Sequence, residues 1–136
     1  MKKKIGALLL CGMLSFTAIG CSGEKEAASL SAEMKELGIA AVETADDFLD
    51  GNITGDAAME RLENNHSIAK MHYERELEEA GSDTLSGTGY WEDISIPVYI
   101  SSLEISIRKK DNGTGTDEKI LEDRNKLAEI VDKKER

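Results

Sequence analysis

Cysteine is scarce in this 136-residue chain: there are two, Cys11 and Cys21, both within the first 21 positions. The remainder has no thiol for a disulfide or a soft metal, so any domain there must be held by packing. Aromatic residues are also few. Beyond the N-terminal segment only Phe48, Tyr73, Tyr90, Trp91 and Tyr99 occur, which poorly supplies a carbohydrate-stacking platform. Neither a Gly-x-Ser-x-Gly elbow nor a Walker-type Gly-Lys-Ser/Thr is present, so hydrolase and nucleotide readings have no foothold.

What the chain does have begins at its start. Lys2, Lys3 and Lys4 precede a run from Ile5 to Ile19 that is apolar except for Ser15 and Thr17, the pattern of an export signal. A helix of that length rises only about 22 Å, short of the roughly 30 Å of a bilayer core, so a cleaved signal helix is expected rather than a retained span. Ala18-Ile19-Gly20-Cys21 follows, and the composition then turns at once to Ser22-Gly23-Glu24-Lys25-Glu26. This resembles the lipobox of bacterial membrane lipoproteins. The resemblance covers residues 1–21 and implies that Gly20 is the last residue removed and that Cys21 is lipidated on its thiol. It places the chain on the extracytoplasmic face of the cell membrane. Where that family prefers Leu three positions before the cysteine, this chain has Ala18; Cys11 follows Leu10 and lacks the small residue before it. Each buried methylene of an acyl chain contributes about 0.8 kcal/mol, so two chains turn marginal binding into stable residence.

Three of the 17 Lys and Arg, and none of the 27 Asp and Glu, lie in the first 20 residues. The 116 residues from Cys21 onward therefore carry 14 basic against 27 acidic side chains, a net charge of −13. Such a surface repels nucleic acid and anionic lipid. No nucleic-acid partner is expected, and contact with the membrane falls to the lipid on Cys21.

Residues 21–29 read as the lipidated cysteine and a short tether, and 30–136 as one domain. Apolar residues at Leu30, Met34, Leu37, Ala41, Ala45 and Phe48 draw a helical stripe that Gly51 ends, with Gly38 an unfavourable residue midway. Thr54 is placed to cap a second helix bearing Ala58, Leu62, His66, Ala69, Tyr73 and Leu77, closed by Gly81. So short a connection predicts an antiparallel αα-hairpin. Residues 81–92 read as a long loop. Between 94 and 107 two periods compete: Ile94, Ile96, Val98 and Ile100 alternate as in a strand, whereas Ile96, Ile100, Leu103 and Ile107 keep a helical step. A lone strand would have no partner, so helix is expected, with Pro97 in its first turn. Thr116 should cap a last helix presenting Ile120, Leu127, Ile130 and Val131. The fold expected is all-α, a small antiparallel bundle of about four helices.

Four patterns could carry chemistry. Asp50, Asn52, Thr54, Gly55 and Asp56 match a calcium loop, but its closing glutamate is replaced by Arg61, a cation where two ligand oxygens belong. Glu63 and His66 have the spacing of a di-iron helix, which needs a second copy that His72 does not supply. Ser67 and Lys70 spell the Ser-x-x-Lys of penicillin-interacting enzymes without the accompanying Lys-Thr-Gly. Tyr90 and Trp91, in a Gly-rich stretch, suit either a partner contact or a lid folded over the helix ends. No metal, cofactor or catalytic residue is assigned. The expected function is a non-enzymatic envelope lipoprotein whose domain contacts another envelope protein or the cell wall. A small-solute-binding lipoprotein is the alternative, and a metal-dependent enzyme is a distant third.

Overall fold

The computed structural model describes the backbone of residues 30–80 and 88–136, and the side chains of these except 80 and 88–92. Four helices and no strand are found among the described residues: α1 (Ala32–Leu49), α2 (Gly55–Ala80), α3 (Thr88–Asp111) and α4 (Asp117–Ile130). Three of the four starts have a local chemical reason. Ser31, Thr54 and Thr116 accept hydrogen bonds from the backbone N–H groups of Met34, Ala57 and Lys119, satisfying donors that the first helical turn leaves unpaired. The ends of α1 and α3 are alike. Gly51 and Gly113 take positive φ of 73° and 75°, which lets Asn52 N–H reach Asp47 O at 2.8 Å and Thr114 N–H reach Lys109 O at 2.8 Å.

Ion pairs mark the up-down-up-down order. Arg61 near the start of α2 meets Asp47 near the end of α1, and His72 later in α2 meets Glu33 near the start of α1. Glu63 of α2 meets Arg108 at the end of α3, and Lys110 of α3 meets Asp117 at the start of α4. Lys35 of α1 and Asp132 beyond α4 close the ring. Helices α1 and α3 touch directly, whereas α2 and α4 do not. The bundle is therefore flattened, with α1 and α3 across its short diagonal.

The core follows the helical stripes. Met34, Ala41, Ala45, Leu62, Ala69, Ile120 and Leu127 are fully buried, with Leu37, Phe48 and Tyr73 packed partly against them. The competition over 94–107 is decided here. Ile96, Ile100, Leu103 and Ile107 are all at 0% exposure, whereas Val98 of the alternating pattern is 57% exposed. Two expectations need correction. The helix begins at Thr88, so residues 88–92 are helical rather than loop, and Pro97 is a buried residue in its interior instead of its first turn. An interior proline forfeits one backbone hydrogen bond and costs on the order of 3 kcal/mol; the burial of four large side chains, each contributing roughly 1.5–3 kcal/mol, outweighs it.

Gly38 is the residue on which the short diagonal closes. A Cβ there would lie 2.6 Å from Val131 Cγ1 and 3.2 Å from Ile96 Cδ1. Its hydrogen lets α1 approach α3 and the end of α4 at once, which offsets its poor helix propensity.

Candidate functional site

Most of the polar side chains that reach inward join helices. Arg124, buried on α4, sets Nε 3.0 Å and Nη2 2.8 Å from the two carboxylate oxygens of Asp46 on α1, and Nη1 2.7 Å from the carbonyl of Lys134. Arg136 adds contacts to Asp46 and Asp50. Burial alone would raise the Asp46 carboxyl, but Arg124 and then Arg136 outweigh it and hold the group below its usual range. A second joint links α3 to α4: buried Asp123 accepts from Ser106 at 2.6 Å and from Lys119 at 2.9 Å. Charged groups held this way are fixed and paired, which suits them to clamping helices.

A third cluster gathers where α1 and α3 begin and α2 ends. Asp93 Oδ1, nearly buried, accepts from the backbone N–H of Ser31 at 3.0 Å. Its carboxyl also lies beside that of Glu76; burial first, then this neighbour, pushes Glu76 up, with His72 and Arg75 opposing. His72 stands between Glu33 and Glu76, with Nδ1 3.3 Å from Glu76 Oε1 but not aligned for a hydrogen bond.

The sequence motifs are dispersed. Arg61 turns to Asp47 at 3.1 Å, and Gly55 is small because the Asp111 carboxylate lies against it, where an anion complements the N-terminus of α2. Glu63 pairs with Arg108, while His66 Nδ1 lies 3.2 Å from Glu104 Oε1, so the two do not share a site. Ser67 donates to the carbonyl of Glu63 and Lys70 faces Glu74, both on the exposed side of α2. Among the described residues no group of His, Cys, Asp and Glu could hold a metal ion. Gly20 and Cys21 lie outside the described residues. Tyr90 and Trp91 fall in the first turn of α3, and their side chains are outside the description.

Two surface features were not expected. An open groove of about 470 Å³ between α1 and α2 is lined by Leu37, Ala40 and Ile68, with Glu33, His72 and Arg75 at one end. The outer side of α3 is apolar as well: Val98 is 57% and Ile105 50% exposed. The signal for the second was present in the sequence as Ile94, Val98, Ser101 and Ile105, steps of four, three and four opposite the core stripe. Among the described residues no helix is long and apolar enough to cross a membrane. No family model, curated protein or solved structure matches the chain.

Proposed function

We propose that this chain is a bacterial envelope lipoprotein, acylated on Cys21 and held on the extracytoplasmic face, whose helical bundle is a non-enzymatic protein-binding module. The observation that carries the binding role is the outer side of α3, where Val98 and Ile105 stand half or more exposed on a helix already apolar toward the core. Exposed apolar side chains at helical spacing are how a groove or a second helix is engaged. The inward-facing charged groups support the same reading, since Arg124, Asp46 and Asp123 serve as clamps between helices. The anchor rests on residues 1–21: basic start, apolar run, small residues and cysteine in that order.

Replacing Cys21 with Ser in the full chain tests the anchor. The unsubstituted chain should fractionate with membranes, and Cys21→Ser should remain unprocessed or move to the soluble fraction. Crosslinking on intact cells tests the module, and adducts should map to α3. A second reading, the small-solute binder, is favoured by the groove between α1 and α2. A metabolite that raises the melting temperature, together with no protein adduct at α3, would establish that reading instead.

A further inference from the structure

We propose that the outer side of α3 binds a second copy of this chain, with the two α3 helices antiparallel about a two-fold axis passing between Ser101 and Ser102. The proposal rests on the protein-binding reading above and names the partner. An axis at that point brings Val98 against Ile105 of the other copy and Ser101 against its Ser102, and sets Ile94 beside the aliphatic stem of its Lys109. The helix is thus self-complementary in register, which is what a two-fold interface demands. The two serines put small side chains where the helices cross most closely, and the branched residues flank them on both sides.

Charge points the same way. Residues 94–110 hold one acidic side chain, Glu104, against Arg108, Lys109 and Lys110, in a chain whose net charge from Cys21 onward is −13. Two copies would otherwise repel, and here they meet where repulsion is least. On α2, Glu74 lies on the stripe of Glu63, which reaches Arg108 on α3. The contact between Glu76 and Asp93 sets this part of α2 beside the start of α3. Antiparallel pairing carries the exposed Lys109 of each copy toward Glu74 of the other, exchanging basic and acidic ends twice per dimer.

The face is small. A stripe about 16 Å long and one helix wide offers on the order of 300 Å² per copy, under half of the roughly 800 Å² per partner of a stable interface. Association in dilute solution is accordingly weak, and it becomes populated when acyl chains confine both copies to one membrane plane and raise their effective concentration.

The test uses the full chain in membranes, oxidised mildly and run without reductant. Ser102→Cys should form a covalent dimer several-fold faster than Glu129→Cys, whose thiol sits on the exposed side of α4. Adding Val98→Asp should slow trapping on the order of tenfold while leaving the melting temperature unchanged, since the side chain is exposed. Lys109→Glu should slow it, and Glu74→Lys in the same chain should restore it. Equal rates at positions 102 and 129, an unaffected Val98→Asp rate, or a Ser102→Cys thiol trapped on a different polypeptide each overturn the proposal. The unsubstituted chain scores the anchor separately. A free Cys21 thiol, seen by alkylation, defeats the lipid reading; the comparison of 102 with 129 is then made in solution at about millimolar protein, the effective concentration that tethering would supply, where faster trapping at 102 still supports self-association and equal rates overturn it.

Discussion

Removing Arg124 should be among the most damaging single changes outside the apolar core. Its side chain is 5% exposed and makes both prongs of a two-oxygen pair with Asp46, so Arg124→Ala leaves a carboxylate short of its main partner and the Lys134 carbonyl without its donor. Truncating one member of a buried ion pair costs about 3–5 kcal/mol. Asp46 is 26% exposed and keeps Arg136, which lowers the expectation to roughly 2–3 kcal/mol. For a domain near 100 residues that lowers the melting temperature by about 10–20 °C, read by circular dichroism at 222 nm. Acidity supplies a second readout. The Asp46 carboxyl is held below its usual range in the fold, so its contribution is fully present above the unfolded value, near pH 4, and is lost as pH falls through the lower folded value. The gap between Arg124→Ala and the unsubstituted protein should narrow over that acid window. Arg124→Lys keeps the charge without the fork and should recover only part of the loss. A loss under about 0.5 kcal/mol, or a gap undiminished at low pH, would falsify the clamp.

Two further outcomes follow from the packing. Gly38→Ala gains roughly 1 kcal/mol of helix propensity but drives a methyl into the stiff Val131 side chain at 2.6 Å, where overpacking costs about 1–3 kcal/mol. Urea unfolding should show a net loss near 1 kcal/mol, and a net gain would mean that the short diagonal can open. Glu76→Gln should stabilise the protein at neutral pH. The Glu76 carboxyl is raised in the fold, so the native state binds the extra proton and stability declines as pH climbs from the unfolded to the folded value. The substitution should flatten that decline, and a pH profile identical to the parent's would show that neither burial nor Asp93 raises this group.

Much of the bundle was legible because its signals are local. Thr54 and Thr116 cap the helices expected of them, Gly51 ends α1, and the apolar stripes of α1, α2 and α4 name core residues. The start of α3 was not legible, since Thr88 to Asp93 lack apolar periodicity and Pro97 suggests a boundary that the structure overrides. Its ambiguity has a physical source. Val98 and Ile105 make α3 apolar on the side away from the core, which imitates strand alternation and blurs the helical period. The residues that confuse the secondary-structure pattern are the ones proposed above for partner binding. Arg124, Asp46 and Asp123 were invisible for another reason: 78 residues separate the Arg124–Asp46 pair, and a single sequence gives charged side chains no sign of burial. The paired Glu63 and His66 show the converse, a motif of correct spacing whose members turn to different neighbours.

The most direct measurement for the account as a whole is the mass of the N-terminal peptide released from membrane-extracted protein. A peptide beginning at Cys21 and heavier by the mass of a diacylglyceryl group, with or without an acyl chain on the new amino terminus, is the expected result. An unmodified Cys21, or a mature chain beginning elsewhere, would contradict the anchor and with it the placement of this bundle at the cell surface.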